Sequence, residues 1–448
     1  MFQSPDPFER RDLHTRHRRN RSHARPDRLP PNNHRAGPAL AQPATKLRPA
    51  QSQVVAEGIE QGCGRVNFDL MGLAVDLESD SAHFAVMIKH VITRRNFLGA
   101  ALAAPALLSA ATPRRWELGI NTYCLRFWQM NDRQLIDWVT QHKLDGIFLQ
   151  DSLDPGVMDP KHWSEVRAWT KDTNLHLETG GAALLPKTKD GIPQSIATLK
   201  KNIARARGMG ATMVRTLMAS DRYAMPEGPI EDQLEIAVQI LRAARTEAMD
   251  AGLKIGLENH KDVQAWRTRQ VIETAGKEYV GSYLDTGNPV FVAEDPMTTV
   301  EELGPLAVSF HLRDSVVYEH PEGIAIQWVP LGEGTIDFKA IVARASELIP
   351  KDVNIYCKPI TARPPVVLPV YGDEFWTKWF PQARSRDFAR FLALAKRGRP
   401  WNKPHLMADL PEVRDKYMDA LKIQQMAHME QSLDYCKKVL DLGVRWRA

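Results

Sequence analysis

LEIAVQILRAARTEAMDAGLKIGLEN, residues 234–259, holds the two signals on which the fold turns. In its first part, 234–251, apolar side chains recur at Leu234, Ala237, Val238, Leu241, Ala244 and Ala248, the three-and-four spacing of a helix with one buried face. Gly252 follows, where a helix end favours a residue that tolerates positive φ. A short apolar run, 254–259, then closes on a carboxylate, which reads as a buried strand. Working outward, the same alternation recurs along the chain. Strand-like runs stand at 117–122, 146–150, 175–179, 213–217, 254–259, 280–285, 307–312 and 353–358, with amphipathic stretches between them. An open, doubly wound sheet competes with a closed barrel. No GxGxxG follows the first run, and a count of eight fits closure, so the expected fold class is α/β, a (β/α)8 TIM barrel. The barrel is assigned to 112–372. A helical extension over 373–448 completes the barrel or packs on it, with Phe375, Trp376, Trp379 and Phe380 as packing residues.

In such barrels the chemistry sits where strands end, so polar groups closing apolar strands come first. LENH at 257–260, YLDTGN at 283–288 and FHLRD at 310–314 close three successive strands. A carboxylate or imidazole buried there costs several kcal/mol unless it is paired or bound to a metal. Two carboxylates and an imidazole, Glu258, Asp285 and His311, suit a divalent ion such as Mn²⁺, Mg²⁺, Co²⁺ or Zn²⁺ with positions left for substrate hydroxyls. The plainer alternative for Glu258 is a structural acid paired with Lys254 or Arg215. Asn121, Tyr123, Glu178, Arg215, His260, Asn288, Arg313, Asp314 and Glu333 are expected around the substrate. His260 lies two residues beyond Glu258, on the same face if the strand continues, and otherwise packs at the rim.

These motifs resemble the xylose-isomerase-like sugar-phosphate isomerase/epimerase superfamily, a group of metal-dependent barrels that also includes the endonuclease IV type of repair enzyme. The resemblance covers about 118–359 and extends to PLGEGTID at 330–337, which is similar to the family's Gly-rich loop. It implies a metal held by a Glu, an Asp, a His and a second Glu on successive strands, and the first three fall on Glu258, Asp285 and His311. The fourth falls on Lys358. An ammonium is a poor metal ligand and replaces one of the two carboxylates that exchange a proton in the family's epimerases. Lys358 therefore reads as a base, as a charge partner of substrate or carboxylate, or as a barrel-mouth ion pair. The function implied is a metal-dependent isomerase or epimerase of a small carbohydrate working through an enediolate, with Glu258 and Lys358 catalytic. A lyase on a keto-sugar is the alternative, and a non-catalytic sugar-binding barrel or an endonuclease IV-like enzyme ranks lower.

The net charge of +5 sits at the front of the 448-residue chain. From Thr112 onward 44 basic residues face 44 acidic ones, which argues against the concentrated basic face that nucleic acid requires. Residues 1–86 lack apolar periodicity and read as disordered or as sequence upstream of the true start. From Met87, a basic segment, Thr93-Arg94-Arg95-Asn96-Phe97-Leu98-Gly99, an apolar run and Ser109-Ala110-Ala111 resemble a twin-arginine export signal over 87–111, implying a periplasmic or otherwise exported protein. The apolar run is well short of the roughly 20 residues that span a bilayer, so no stable membrane anchor is expected. Cys124, Cys357 and Cys436 are widely spaced and are expected as buried free thiols. Assembly into a homo-oligomer is left open.

Overall fold

A computed structural model describes residues 114–150, 158–408 and 411–448. The segment 1–86 and the export signal at 87–111 lie outside the described residues.

Eight parallel strands close into a barrel: β1 (Leu118–Asn121), β2 (Gly146–Gln150), β3 (His176–Ala183), β4 (Met213–Leu217), β5 (Lys254–Glu258), β6 (Val280–Asp285), β7 (Ala307–Leu312) and β10 (Ile355–Cys357). Each pairs with the next, and β10 closes the ring against β1, with Leu118 opposite Ile355 and Ile120 opposite Cys357. The eight expected runs are these strands, within a few residues at their ends. The strands are apolar because helices cover their outer faces and side chains fill the lumen, leaving neither side to water. The intervening helices are α1 (Asp132–Gln141), α2 (Pro160–Asp172), α3 (Ile192–Met209), α4 (Ile230–Ala243), α5 (Arg245–Ala251), α6 (Ala265–Ala275), α7 (Pro296–Leu303) and α8 (Phe338–Leu348). The single helix read over 234–251 is two, broken at Ala244, and Gly252 caps the second at φ 66°.

One element escaped the sequence reading. Beyond β7 the chain forms an antiparallel hairpin, β8 (Asp314–His320) and β9 (Gly323–Val329), joined by β11 (Val366–Leu368). Val317, Ile324 and Ile326 of the hairpin pack with Leu368, Phe375, Phe380 and Phe391, so the aromatic loop is core to this small sheet. The helix α9 (Ser385–Arg397) lies on the same cluster. After α10 (Pro411–Lys416), α11 (Met418–Asp434) and the turn beyond it bring Met429, Leu433, Cys436, Leu440 and Leu442 into the core with Trp116 and Leu118. The last segment thereby covers the β10/β1 seam, which has no helix of its own. Cys124, Cys357 and Cys436 are buried and free. No helix among the described residues is long and apolar enough to cross a membrane.

Candidate functional site

Side chains two residues apart on a barrel strand face the lumen together, and here they form two layers. The upper layer, at the C-terminal ends of the strands, is charged. Lys358 Nζ donates to Glu258 Oε1 at 2.9 Å and to Asp285 Oδ2 at 3.0 Å. Arg215 Nε donates to Glu258 Oε2 at 2.5 Å, and a second guanidinium nitrogen pairs with the same oxygen. Arg313 clamps Asp285 through Nη2 to Oδ2 at 2.6 Å and Nε to Oδ1 at 3.2 Å. Asn288 ties the two halves together, donating to Glu258 Oε1 at 3.1 Å and accepting from Arg313 at 2.8 Å. The Gly287 N–H completes Asp285 Oδ1 at 2.8 Å.

Burial pushes both carboxyls up, and the adjacent cations outweigh it. Arg215 and Lys358 hold Glu258 well below the usual carboxylate range, and Arg313 and Lys358 hold Asp285 below its own. Three cations thus face two ionised carboxylates. The pairing of Glu258 with Arg215, weighed as the plainer alternative, is present.

The lower layer is aromatic, and His311 belongs to it. Its ring is stacked between Tyr283 at 4.0 Å and Tyr356 at 4.7 Å, centroid to centroid. A polar chain fixes its tautomer. Asn121 Nδ2 donates to the Tyr283 hydroxyl at 3.1 Å, leaving that hydroxyl to donate to His311 Nδ1 at 2.9 Å. Ser309 Oγ donates to Glu178 at 2.6 Å and so accepts from His311 Nε2 at 2.8 Å. Burial lowers His311 to about 4, keeping the ring neutral as this chain requires.

A divalent ion on Glu258, Asp285 and His311 does not fit these residues. Every carboxylate oxygen already receives a cation or an N–H, the ammonium bridges the two acids, and both imidazole nitrogens are engaged in the layer below. An added ion would meet a site whose formal charge is already positive. Among the described residues no group of three or more His, Cys, Asp or Glu is arranged to hold a metal ion. The upper layer takes Arg313, just past the end of β7 and two residues beyond His311, whose ring lies in the layer below.

Above the charged layer opens a cavity of about 910 Å³, lined by Tyr123, Arg215, His260, Arg313 and Lys358 from the expected set. Burial lowers His260 to about 3, so this wall of the cavity is an uncharged imidazole. Glu258 and Asp285 are fully buried and lie behind the cations. Other residues expected at the substrate are employed elsewhere. Asn121, Glu178 and Asn288 belong to the networks just described. Asp314 accepts from the backbone N–H groups of Ser315, Gly332 and Gly334 at 2.8–3.0 Å, which pins the Gly-rich loop. Glu333 pairs with Lys403 at 2.6 Å and accepts from Gln431 at 2.7 Å, anchoring the C-terminal segment. The sequence reading missed Lys261, Arg363 and Trp328 on the cavity wall. Trp328 comes from the hairpin and Arg363 from the loop before β11, so no barrel-strand pattern points to them. Tyr283, Ser309 and Tyr356 were legible by alternation from Asp285, His311 and Lys358.

Residues 136–353, a little under half of the chain, match the family model described as xylose isomerase-like TIM barrel. Over 214 residues the chain is 23% identical to the uncharacterised protein YihM of Escherichia coli strain K12, a match covering 46% of this chain and 60% of that relative's length. Among solved structures it is similar to the IolI protein with a bound zinc atom, at 14% identity over 62% of this chain and 96% of that one, with a TM-score of 0.46. It is also similar to the apo form of 3-keto-D-glucoside 4-epimerase, YcjR, from Escherichia coli, at 13% identity over 60% and 100% of the two chains, with a TM-score of 0.44.

Proposed function

We propose that this xylose isomerase-like barrel is an enzyme of the sugar isomerase or epimerase class, moving a proton beside the carbonyl of a small sugar-like substrate with Lys358 as the group that meets it. The observation that carries the reading is the ammonium of Lys358, held between two buried carboxylates and opening on the cavity at the catalytic end of the barrel. A structural ion pair needs no cavity above it. Arg215 and Arg313 also reach the cavity wall, where their N–H groups can stabilise the negative oxygen of an enediolate. The carrier is the neutral amine form of Lys358: it takes a proton from the substrate carbon, becoming the ammonium that Glu258 and Asp285 hold, and the reverse transfer from that ammonium delivers the proton to the neighbouring carbon. Asp285 keeps the lysine aimed. No step is routed through a metal ion, because the charge at the centre is supplied by side chains. We also propose export by the twin-arginine route, supported by Arg94-Arg95 and the apolar run that follows.

Solvent exchange tests the reading. Purified protein, stripped with chelator, is incubated in D2O with a panel of aldoses, ketoses and keto-glycosides, and the products are followed by NMR. Deuterium next to the carbonyl is expected, with no dependence on added divalent ions and with loss in Lys358→Met. Exchange that requires an added ion would overturn the role given to Lys358. Release of a leaving group without isomer formation would make the reaction the lyase alternative.

A further inference from the structure

We infer that the cavity takes an acidic sugar, a molecule whose sugar-like body carries an oxyanion such as a carboxylate or a phosphate. The inference rests on the cavity being the substrate site and deepens that reading by naming the substrate's charge. Among the described residues five cationic side chains line the cavity, Arg215, Lys261, Arg313, Lys358 and Arg363, and one carboxylate, Asp221. That carboxylate is turned to its own chain. Its Oδ1 accepts from the Ala224 N–H at 2.8 Å, capping a short turn, and its Oδ2 accepts from Ser220 Oγ at 3.3 Å.

The two acids of the floor do not cancel this excess where a ligand would sit. Glu258 and Asp285 are fully buried and absent from the wall, covered on the cavity side by the side chains that neutralise them. Two carboxylates are balanced by two cations, and the floor holds three. Since acidic and basic residues balance from Thr112 onward, the gathering of five cations among the described residues of the wall is a local arrangement and not the overflow of a basic protein. Guanidinium groups recognise carboxylates and phosphates through paired N–H donors, which adds direction to charge.

The same wall has a face for the rest of the ligand. Trp328 lies under Arg313, 4.3 Å from the guanidinium carbon to the ring centroid, and Lys261 stands 5.4 Å from the Phe291 ring and 5.5 Å from Trp328. Aromatic faces offer apolar contact to the C–H side of a sugar while the cations beside them take its charged end. The volume of about 910 Å³ is at the upper range of small-molecule sites and admits a sugar larger than a single ring.

The test is isothermal titration of the wild-type protein with D-glucuronate, D-glucose 6-phosphate and D-glucose, together with the D2O exchange assay on the same ligands. At least one acidic ligand is expected to bind tenfold or more tightly than glucose, about 1.4 kcal/mol, and to weaken as salt is raised. Preference for glucuronate or for the phosphate identifies which oxyanion the site takes. The double variant Lys261→Gln with Arg363→Gln, checked for folding by circular dichroism, should lose most of that preference, its affinity for the acidic ligand falling toward that for glucose and its salt dependence flattening. Equal affinity for all three ligands, or no binding of either acid, overturns the inference. Exchange into a neutral sugar without any preference for acids would leave the isomerase reading standing and remove this one. Tight, salt-sensitive binding of an acid without exchange would do the reverse.

Discussion

Replacing Lys358 by Met removes the charge at the centre of the site while keeping most of the side chain's length. The ammonium makes two contacts, 2.9 Å to Glu258 and 3.0 Å to Asp285, both with fully buried partners. Removing one partner from a buried ion pair costs about 3–5 kcal/mol, chiefly because it leaves charge buried without compensation. Here Arg215 and Arg313 remain, so the formal balance becomes two against two and the low end applies, about 3 kcal/mol. The variant also leaves Glu258 Oε1 and Asp285 Oδ2 without the cation they share. Urea unfolding in chelator should show the loss, and adding Mn²⁺ or Zn²⁺ should restore part of it in the variant while leaving the wild type unchanged. A cost below about 1 kcal/mol, together with wild-type protein stabilised by those ions, would show that the space between the two acids is not held by Lys358.

Three further outcomes follow from other parts of the molecule. Glu294 is buried, accepting from the Ala265 N–H at 3.1 Å and from Thr299 at 2.5 Å, and burial pushes it up to about 8. A carboxyl raised in the folded state gives a contribution fully present below an unfolded value of about 4.5 and lost as pH rises through 8, at up to about 1.4 kcal/mol per pH unit. Glu294→Gln should therefore gain on wild type between pH 5 and pH 8 in urea unfolding, and an equal difference at both would refute the assignment. Gly180 sits at φ 128°, and a Cβ there would run into the backbone oxygen of Arg215. Gly180→Ala should cost about 2–3 kcal/mol and slow any exchange activity by displacing the guanidinium from Glu258; an unchanged Tm and rate would show that the strand adjusts freely. Substituting Arg94 and Arg95 by Lys should leave the protein in the cytoplasmic fraction on cell fractionation, whereas continued export would remove the twin-arginine proposal.

The sequence by itself determined the barrel, because a strand buried on both faces must be apolar throughout and a covering helix must repeat every three to four residues. Both signals are local, and all eight barrel strands were found from them. It also placed Glu258, Asp285, Lys358 and Arg215 in one neighbourhood, since each ends or stands in an apolar strand that the fold gathers to one end. The hairpin of β8 and β9 went unseen because its apolar face is covered by Phe375, Phe380 and Phe391, distant in sequence, and nothing in a barrel pattern calls for it. Only the tertiary structure decided what the gathered residues do to one another. Whether two carboxylates await a cation or already hold one depends on distances of about 3 Å between side chains from different strands, which no spacing along the chain encodes. Which layer a strand residue joins is equally a matter of tilt and stagger around the barrel. His311 therefore fell to the aromatic layer, Arg313 to the charged one, and a position read as a metal centre became a lysine held by two acids.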